Sequence, residues 1–233
     1  MQLSTLLTDV RRELLEINPV FWSDAELIRH ANRAELDYTN KTRVLEGSSY
    51  ATLVQGQTEY VLPSDCISVR LMMHNVPNSD GNDNWRRIYP TNLEKIAQEK
   101  PNFLGNGVDQ QGGNQRYWIW DNTLIVQPPP DATNATSIWL YYKAKPSTML
   151  YLTDSINLPE ELSEAITEFI LWKAWDKEEE DDKADKHHQE YLRCIGEGRK
   201  WLKKRSSDQR FKLDIDSPIS FNLGIPGYNP FQL

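Results

Sequence analysis

Residues 158–177, LPEELSEAITEFILWKAWDK, form the most strongly helical stretch of the chain. Pro159 stands in the first turn, where a missing amide hydrogen costs nothing, and Glu160 and Glu161 follow at the end of the helix dipole that favours acids. Apolar residues then recur at helical spacing: Leu162, Ile166, Phe169 and Ile170. The stretch predicts a helix whose apolar face must be covered by other parts of the chain.

Two helices are predicted near the start of the sequence. Apolar residues recur at helical spacing over residues 3–15, before Asn18-Pro19 ends the pattern. Ser23 and Glu26 form a capping box, in which each side chain can bond the other's backbone amide. A second apolar stripe follows over residues 24–39, so both segments can cover the later helix.

A fourth helix is predicted, because Tyr191 and Ile195 continue an apolar face after the charged residues 176–186, and its join to the third helix is expected near residues 180–182. Two helices therefore stand on each side of a middle region with a different composition. The economical packing is a four-helix bundle made by both chain ends, residues 1–41 and 157–205.

The intervening residues 42–156 have the composition of β-strands. Residues 42–54 and 58–62 predict a hairpin around the turn Gln55-Gly56-Gln57, and residues 66–74 alternate with the period of a strand. Further strands are expected over residues 85–89, 116–120, 123–127 and 136–145, and a short helix over residues 91–99. We therefore expect an α+β fold in which an antiparallel β-sandwich or barrel-like region is inserted between the second and third helices.

Three local signals in this region are specific. The pair Asp121-Asn122 between two strand patterns predicts a two-residue hairpin turn. Thr91 with Glu94 predicts a capping box at the start of the short helix. The strand over residues 136–145 is apolar on both faces and therefore needs partners on both.

The last segment, residues 206–233, alternates apolar and charged residues over 211–216 and is then interrupted by prolines and glycines. Disordered tails are poor in aromatic and β-branched residues, and this one is not. We expect an extended arm that docks on another protein by strand addition and by separate apolar anchors. The anchors are Phe211, Leu213, Ile215, Phe221, Tyr228 and Phe231.

Charge and hydropathy exclude several classes of protein. The 26 Lys and Arg residues against 34 Asp and Glu leave a net charge of −8, which disfavours tight non-specific binding to nucleic acid. The longest apolar run, residues 138–142, is too short to span a bilayer, and the first residues lack a signal-peptide pattern. We expect a protein made in a cytoplasm and not bound to membrane, with Cys66 and Cys194 as thiols that serve as small buried hydrophobes.

Catalytic signatures are absent from the sequence. It contains no HExxH, GxSxG, P-loop or complete GxGxxG motif. His187 and His188 follow Asp181, Asp182 and Asp185, but adjacent helical residues point about 100° apart and rarely share one ion. We expect a solvated helix face there, and we predict no enzyme activity, cofactor or metal.

Aromatic residues crowd into the predicted strands over residues 116–142. Protein interfaces are enriched in Tyr and Trp, whereas a platform for sugars or single-stranded nucleic acid would use the same side chains by stacking. We favour a core or a subunit interface over a ligand platform. The candidate interface residues are Trp118, Trp120, Trp139 and Tyr141.

Six segments in this order resemble the head-to-tail adaptor proteins of tailed bacteriophages, also called neck, connector or head-completion proteins. They are LSTLLTDVRR (3–12), FWSDAELI (21–28), GQTEYVLPSD (56–65), RYWIWDNTL (116–124), YYKAKP (141–146) and LPEE (158–161). The resemblance covers roughly residues 1–205 and leaves out the loop 102–114 and the tail after Ser206.

The resemblance implies a structural protein that forms a ring, commonly of twelve copies, between the portal and the tail. Its partners would be the portal protein, tail or nozzle proteins, and genomic DNA that passes through the ring without sequence-specific binding. The protein would belong to the virion and be assembled in the host cytoplasm. The negative net charge agrees with a channel wall that repels phosphate.

Two other classes stay open at this point. A cell-wall hydrolase carried by a virion would need a pair of carboxylates at catalytic distance, which sequence spacing cannot establish. A carbohydrate-binding module would use the aromatic cluster as its platform.

Overall fold

The computed structural model describes residues 1–16, 21–75, 84–99, 115–130 and 137–207. Within these ranges the chain has an α+β fold. Its helices are α1 (Leu3–Glu13), α2 (Asp24–Thr42), α3 (Leu93–Glu99), α4 (Glu164–Lys177) and α5 (Asp181–Ser207), with a 3-10 turn at Glu160–Leu162. Its strands are β1 (Glu46–Thr52), β2 (Glu59–Val61), β3 (Cys66–Asn75), β4 (Trp85–Pro90), β5 (Arg116–Trp120), β6 (Thr123–Gln127) and β7 (Ser137–Ala144).

Helices from both parts of the chain share one hydrophobic core. α4 contacts α1, α2 and α5, and the core includes Leu6 of α1, Leu27 of α2, Ile170 of α4 and Ile195 of α5. The four helices predicted in residues 1–41 and 157–205 are therefore present and packed together. Their arrangement as a four-helix bundle stays a prediction, as do the domain boundaries.

The helix ends differ in detail from the predicted ones. The Ser23 hydroxyl accepts a hydrogen bond from the Glu26 amide at 3.3 Å, as a capping box requires, but the Glu26 carboxylate accepts from Lys177 instead. α2 continues to Thr42 and ends where Arg43 takes a left-handed conformation, φ 59°. At α3 the cap is Asn92, whose Oδ1 accepts from the Lys95 amide at 2.7 Å, and not the predicted Thr91.

All seven strands join one curled sheet in the order β1-β7-β3-β4-β5-β6-β2. The pair β4 and β5 is parallel and the other pairs are antiparallel, so the expectation of an antiparallel sandwich is wrong in this respect. The reason is the connection over residues 91–115, which contains α3 and is long enough to return the chain to the same end of the sheet.

The hairpin predicted around residues 55–57 is also wrong. The turn exists, since the Gln57 amide donates to the Val54 carbonyl at 3.0 Å. The strands on either side of it lie at opposite edges of the sheet, with β1 on β7 and β2 on β6. Because β7 is apolar on both faces, it takes a central position between β1 and β3 and separates β1 from its neighbour in sequence.

The predicted hairpin of β5 and β6 is confirmed. Trp120 pairs with Thr123 across Asp121-Asn122, and Asp121 takes a positive φ of 53°. The strand predicted at residues 136–145 is confirmed as β7, whose alternate residues Ile138, Leu140 and Tyr142 enter a second core on one face of the sheet. Its other face carries Trp139, Tyr141 and Lys143.

The two thiols have different surroundings. Cys194 is buried in the helical core, and burial raises the pKa of its thiol to about 11. Cys66, at the start of β3, is only half-buried, so the expectation of two buried cysteines is correct for Cys194 alone.

Candidate interaction surface

A groove of about 760 Å³ lies between α5 and the face of the sheet opposite the second core. The alternation of β7 produces it, because turning Ile138, Leu140 and Tyr142 into the core turns Trp139 and Tyr141 outward. The apolar part of the lining comprises Val44, Leu71, Met73, Trp85, Trp139, Tyr141, Tyr142 and Leu202. We call this space the α5 groove.

Four aromatic side chains form one cluster at the sheet side of the α5 groove. Tyr50 stacks on Trp139, and Tyr141 meets Trp139 at a tilt of 31°, both with ring centroids 4.7 Å from the Trp139 ring. Trp85 meets Trp139 edge to face at 5.9 Å. Tyr50 is 61% exposed, so the cluster presents apolar area to solvent. We call these four residues the aromatic cluster.

Sequence reasoning identified Trp139 and Tyr141 but missed Tyr50 and Trp85. The register explains the omission: Tyr50 lies opposite Trp139 because β1 pairs with β7, and Trp85 lies opposite Asn75 because β4 pairs with β3. Neither pairing can be read from local sequence, and the wrongly predicted hairpin assigned β1 another partner.

Basic side chains line the rest of the α5 groove: Arg70, Lys143, Arg199, Lys203 and Arg205. Among the described lining residues the only carboxylate is Glu46, which accepts hydrogen bonds from Lys143 Nζ and Arg70 Nη1, both at 2.7 Å. The bond from Lys143 holds the pKa of Glu46 below its ordinary value. The groove is therefore locally basic in an acidic protein.

The other two predicted interface residues lie elsewhere. Trp118 is buried and packs on Ile96 of α3, whereas Trp120 is 66% exposed at the end of β5. Two strands, β3 and β4, separate β5 from β7 in the sheet. The structure therefore brings Trp139 and Tyr141 together and leaves Trp118 and Trp120 as a second location. The six predicted arm residues and the loop 102–114 lie outside the described residues.

The histidines beside the acidic start of α5 have protein partners. His187 Nδ1 lies 2.8 Å from Glu168 Oε2, and the His188 ring stacks on Trp172 at 4.0 Å. No group of three or more potential metal-ligating side chains occurs in the part of the chain that the structure describes. Every helix in those ranges is too short or too polar to cross a lipid bilayer.

A buried carboxylate attaches the segment between β7 and α4 to α2. Glu35 of α2 accepts hydrogen bonds from the Asn157 backbone amide and from Asn157 Nδ2, both at 2.7 Å. Burial raises the pKa of Glu35, and these donors act against that effect. Its partners are structural amides in the segment between β7 and α4, so the geometry assigns it to positioning that segment.

Comparison with known proteins identifies the family of the chain. No curated protein matches the chain. The family model of the SU10 adaptor protein matches residues 1–212, a range that includes both cores, the α5 groove and the aromatic cluster. Because the match extends over nearly the whole chain, the resemblance to phage adaptors is confirmed, and the protein belongs to the SU10 adaptor protein family of bacteriophage structural proteins.

Proposed function

We propose that this protein forms a ring that joins the portal to the tail of the virion and encloses the channel for the genome. The observation that carries the proposal is the family match together with exposed aromatic side chains at two places on the sheet, around Trp139 and at Trp120. Exposed aromatic area of this kind is typical of surfaces that bind other proteins.

The proposed subunit interface uses Trp118, Trp120, Trp139 and Tyr141. Two separate aromatic locations suit a ring, because each subunit of a ring contacts its neighbours through two different patches. Trp118 would support the second location from below, since its ring packs on Ile96 beneath the exposed end of β5.

The proposed portal contact is the arm over residues 206–233, with the six apolar anchors named above. At about 3.3 Å per residue an extended arm of this length reaches on the order of 90 Å, enough to cross from one ring to the next. Ordering an arm costs about 1 to 2 kcal/mol per residue in backbone entropy, so anchors such as Phe221 and Tyr228 are required for net binding.

The net charge of −8 supports passage of DNA without binding. A wall of like charge repels phosphate and leaves the genome free to move. The same balance, together with the family match, favours a structural protein over a hydrolase or a carbohydrate-binding module.

Native mass spectrometry and negative-stain microscopy of the purified protein, alone and mixed with its portal, test the proposal. We expect a closed ring of defined copy number that stacks coaxially on the portal. A protein that stays monomeric at all concentrations and leaves the portal unchanged would refute the ring.

The arm is tested by a chain that ends after Ser206. The helical core extends only to Ile195, with Trp201 packed against it, so this chain is expected to fold and to lose portal binding in co-sedimentation. A matched pair separates anchoring from tail length: Phe221→Ala should weaken portal binding and Asn222→Ala should not. Unchanged portal binding by the shortened chain would mean that the contact lies elsewhere.

A further inference from the structure

We propose that the α5 groove binds the chain's own tail. In the isolated subunit, residues 211–215 lie across the aromatic cluster, and we call this intramolecular contact the seat. The seat concerns the single subunit and requires neither portal nor ring. Three observations carry it: the position at which α5 ends, the register of the strands below it, and the chemistry of the tail.

The end of α5 lies at the basic part of the groove. Arg205 is a lining residue, and its charge contributes to the lowered pKa of Glu46 at the start of β1. Only Ser206 and Ser207 follow in the helix before the tail begins. The tail therefore leaves the helix beside Glu46, at one end of the groove.

The strand register sets what the tail meets next. Along β1 and β7 the pairs on the face that carries Trp139 are Glu46 with Lys143, Ser48 with Tyr141 and Tyr50 with Trp139. Each step of two residues is about 6.6 Å, and the three residues 208–210 span about 10 Å when extended. Arg199 of α5 donates to the Lys41 carbonyl and Arg205 acts on Glu46, so α5 runs in the direction that leads from Glu46 along β1. A chain that continued past the end of α5 would therefore bring Phe211 to Tyr141, and the next residues to Trp139.

The chemistry of the tail matches this surface. Phe211, Leu213 and Ile215 alternate with charged residues, so an extended segment presents one apolar face and one charged face. The apolar face would cover the aromatic cluster. The charged residues Lys212, Asp214 and Asp216 would lie on the opposite face, toward solvent.

A tail from the same chain has an advantage over any other occupant. A segment tethered by three residues acts at an effective concentration in the millimolar range, which an untethered segment at ordinary protein concentrations does not reach. The seat also has a consequence that rests on the proposed ring: a seated tail would cover Trp139 and Tyr141, and ring formation would have to displace it.

Limited trypsin digestion of the full chain, at a concentration at which analytical ultracentrifugation shows single subunits, tests the seat. Trypsin cuts after Lys212, within the proposed seated segment, and intact-mass spectrometry measures release of residues 213–233. The reference is a synthetic peptide of residues 206–233 digested under the same conditions. We expect the Lys212 bond of the full chain to be cut at least tenfold more slowly than that of the peptide, because cleavage requires the tail to leave the groove.

Two variants should remove this protection. Trp139→Ser alters the floor of the groove, and the double change Phe211→Ser with Leu213→Ser alters the tail without touching the folded part; its reference is a peptide with the same two changes. Trp120→Ser is the matched control, since it replaces an exposed tryptophan of the same sheet outside the groove.

The outcomes are distinct. The seat is supported if the Lys212 bond loses its protection from trypsin in both test variants and keeps it in Trp120→Ser. Cleavage of the unaltered chain at the rate of the peptide would overturn it, and so would protection that increases with protein concentration, which would assign the groove to the tail of a second copy. Since only the isolated chain is used, failure of the seat leaves the proposed ring and portal contact untouched.

Discussion

Glu35 shows how a single buried charge can determine the path of a long connection. Its carboxylate receives three amide donors from Asn157 and Leu158, while one turn earlier on α2 the Asn32 side chain donates to and accepts from Met149 at 2.8 Å. These bonds attach the segment between β7 and α4 to α2. Buried polar groups of this kind are costly to leave unpaired.

We expect Glu35→Ala to lower the free energy of unfolding by about 2 to 4 kcal/mol, because it removes the acceptor of several buried amides at once. Urea denaturation followed by circular dichroism measures the change. Asn40→Ala, at an exposed site of the same helix, serves as the control and should cost clearly less. Equal losses in the two variants would contradict the role given to Glu35.

Two buried histidines should make the free energy of unfolding depend on pH. Burial lowers the pKa of His30 and of His74; Arg86 lowers that of His74 further, and at His30 the opposing charge of Glu26 only partly offsets the effect. The unfolded chain therefore binds protons at these sites near the ordinary value of about 6.5, before the folded chain does. The free energy of unfolding should fall as the pH is lowered from about 6.5 through the folded-state pKa values.

Urea denaturation at pH 7, 6 and 5 measures this fall. A chain with His30→Leu and His74→Leu should show a smaller loss over the same interval, because it lacks the groups that gain protons on unfolding. An identical pH dependence in the parent and the double variant would contradict the assignment.

At the scale of elements, α4 differs from the amphipathic helix that its sequence predicts. Its buried residues include Leu171 and Trp175 as well as Ile166 and Ile170, which together lie around more than one face. The reason is that α1, α2 and α5 all pack on it. A helix covered on several sides becomes the centre of its layer, and the stability of the layer depends on how closely its neighbours approach.

Two glycines of α5 test that dependence. At Gly198 a Cβ atom would overlap the Tyr38 hydroxyl of α2, whereas at Gly196 it would meet open space. We expect Gly198→Ala to lower the free energy of unfolding by about 1 to 3 kcal/mol through overpacking. Gly196→Ala should raise it by about 0.5 to 1 kcal/mol, because alanine favours a helix more than glycine does.

Thermal and urea unfolding of the two variants give the comparison. Stabilisation by both changes would mean that α5 does not approach α2 as closely as the structure has it.

For the whole molecule, substitutions of the two tryptophans of β5 can distinguish the stability of the fold from the proposed assembly of the ring. Trp118 is buried against α3, and Trp120, two residues further along β5, is exposed. We expect Trp118→Ala to cost about 3 kcal/mol of unfolding free energy, because it opens a cavity. We expect Trp120→Ala to leave the stability nearly unchanged and to weaken ring assembly by about 2 kcal/mol.

Chemical denaturation and analytical ultracentrifugation measure the two quantities separately. If Trp120→Ala assembles as well as the parent protein, the subunit contact does not include the end of β5.

Local sequence patterns were enough to predict most of the helices and strands. Helical spacing, the Ser23 cap and the Asp121-Asn122 turn act within a few residues, so the four packed helices and the hairpin of β5 and β6 could be predicted. The order of sequence segments also indicated the adaptor family, which the match over residues 1–212 confirms.

Which strands are neighbours in the sheet could be learned only from the fold. The pairing of β1 with β7 joins residues about ninety positions apart, and the parallel pairing of β4 with β5 depends on a long connection. No local pattern encodes such contacts, because they arise from the competition of all strands for burial. The aromatic cluster and the basic α5 groove are products of that competition, which is why Tyr50, Trp85 and Arg199 could not be assigned to one surface from the sequence.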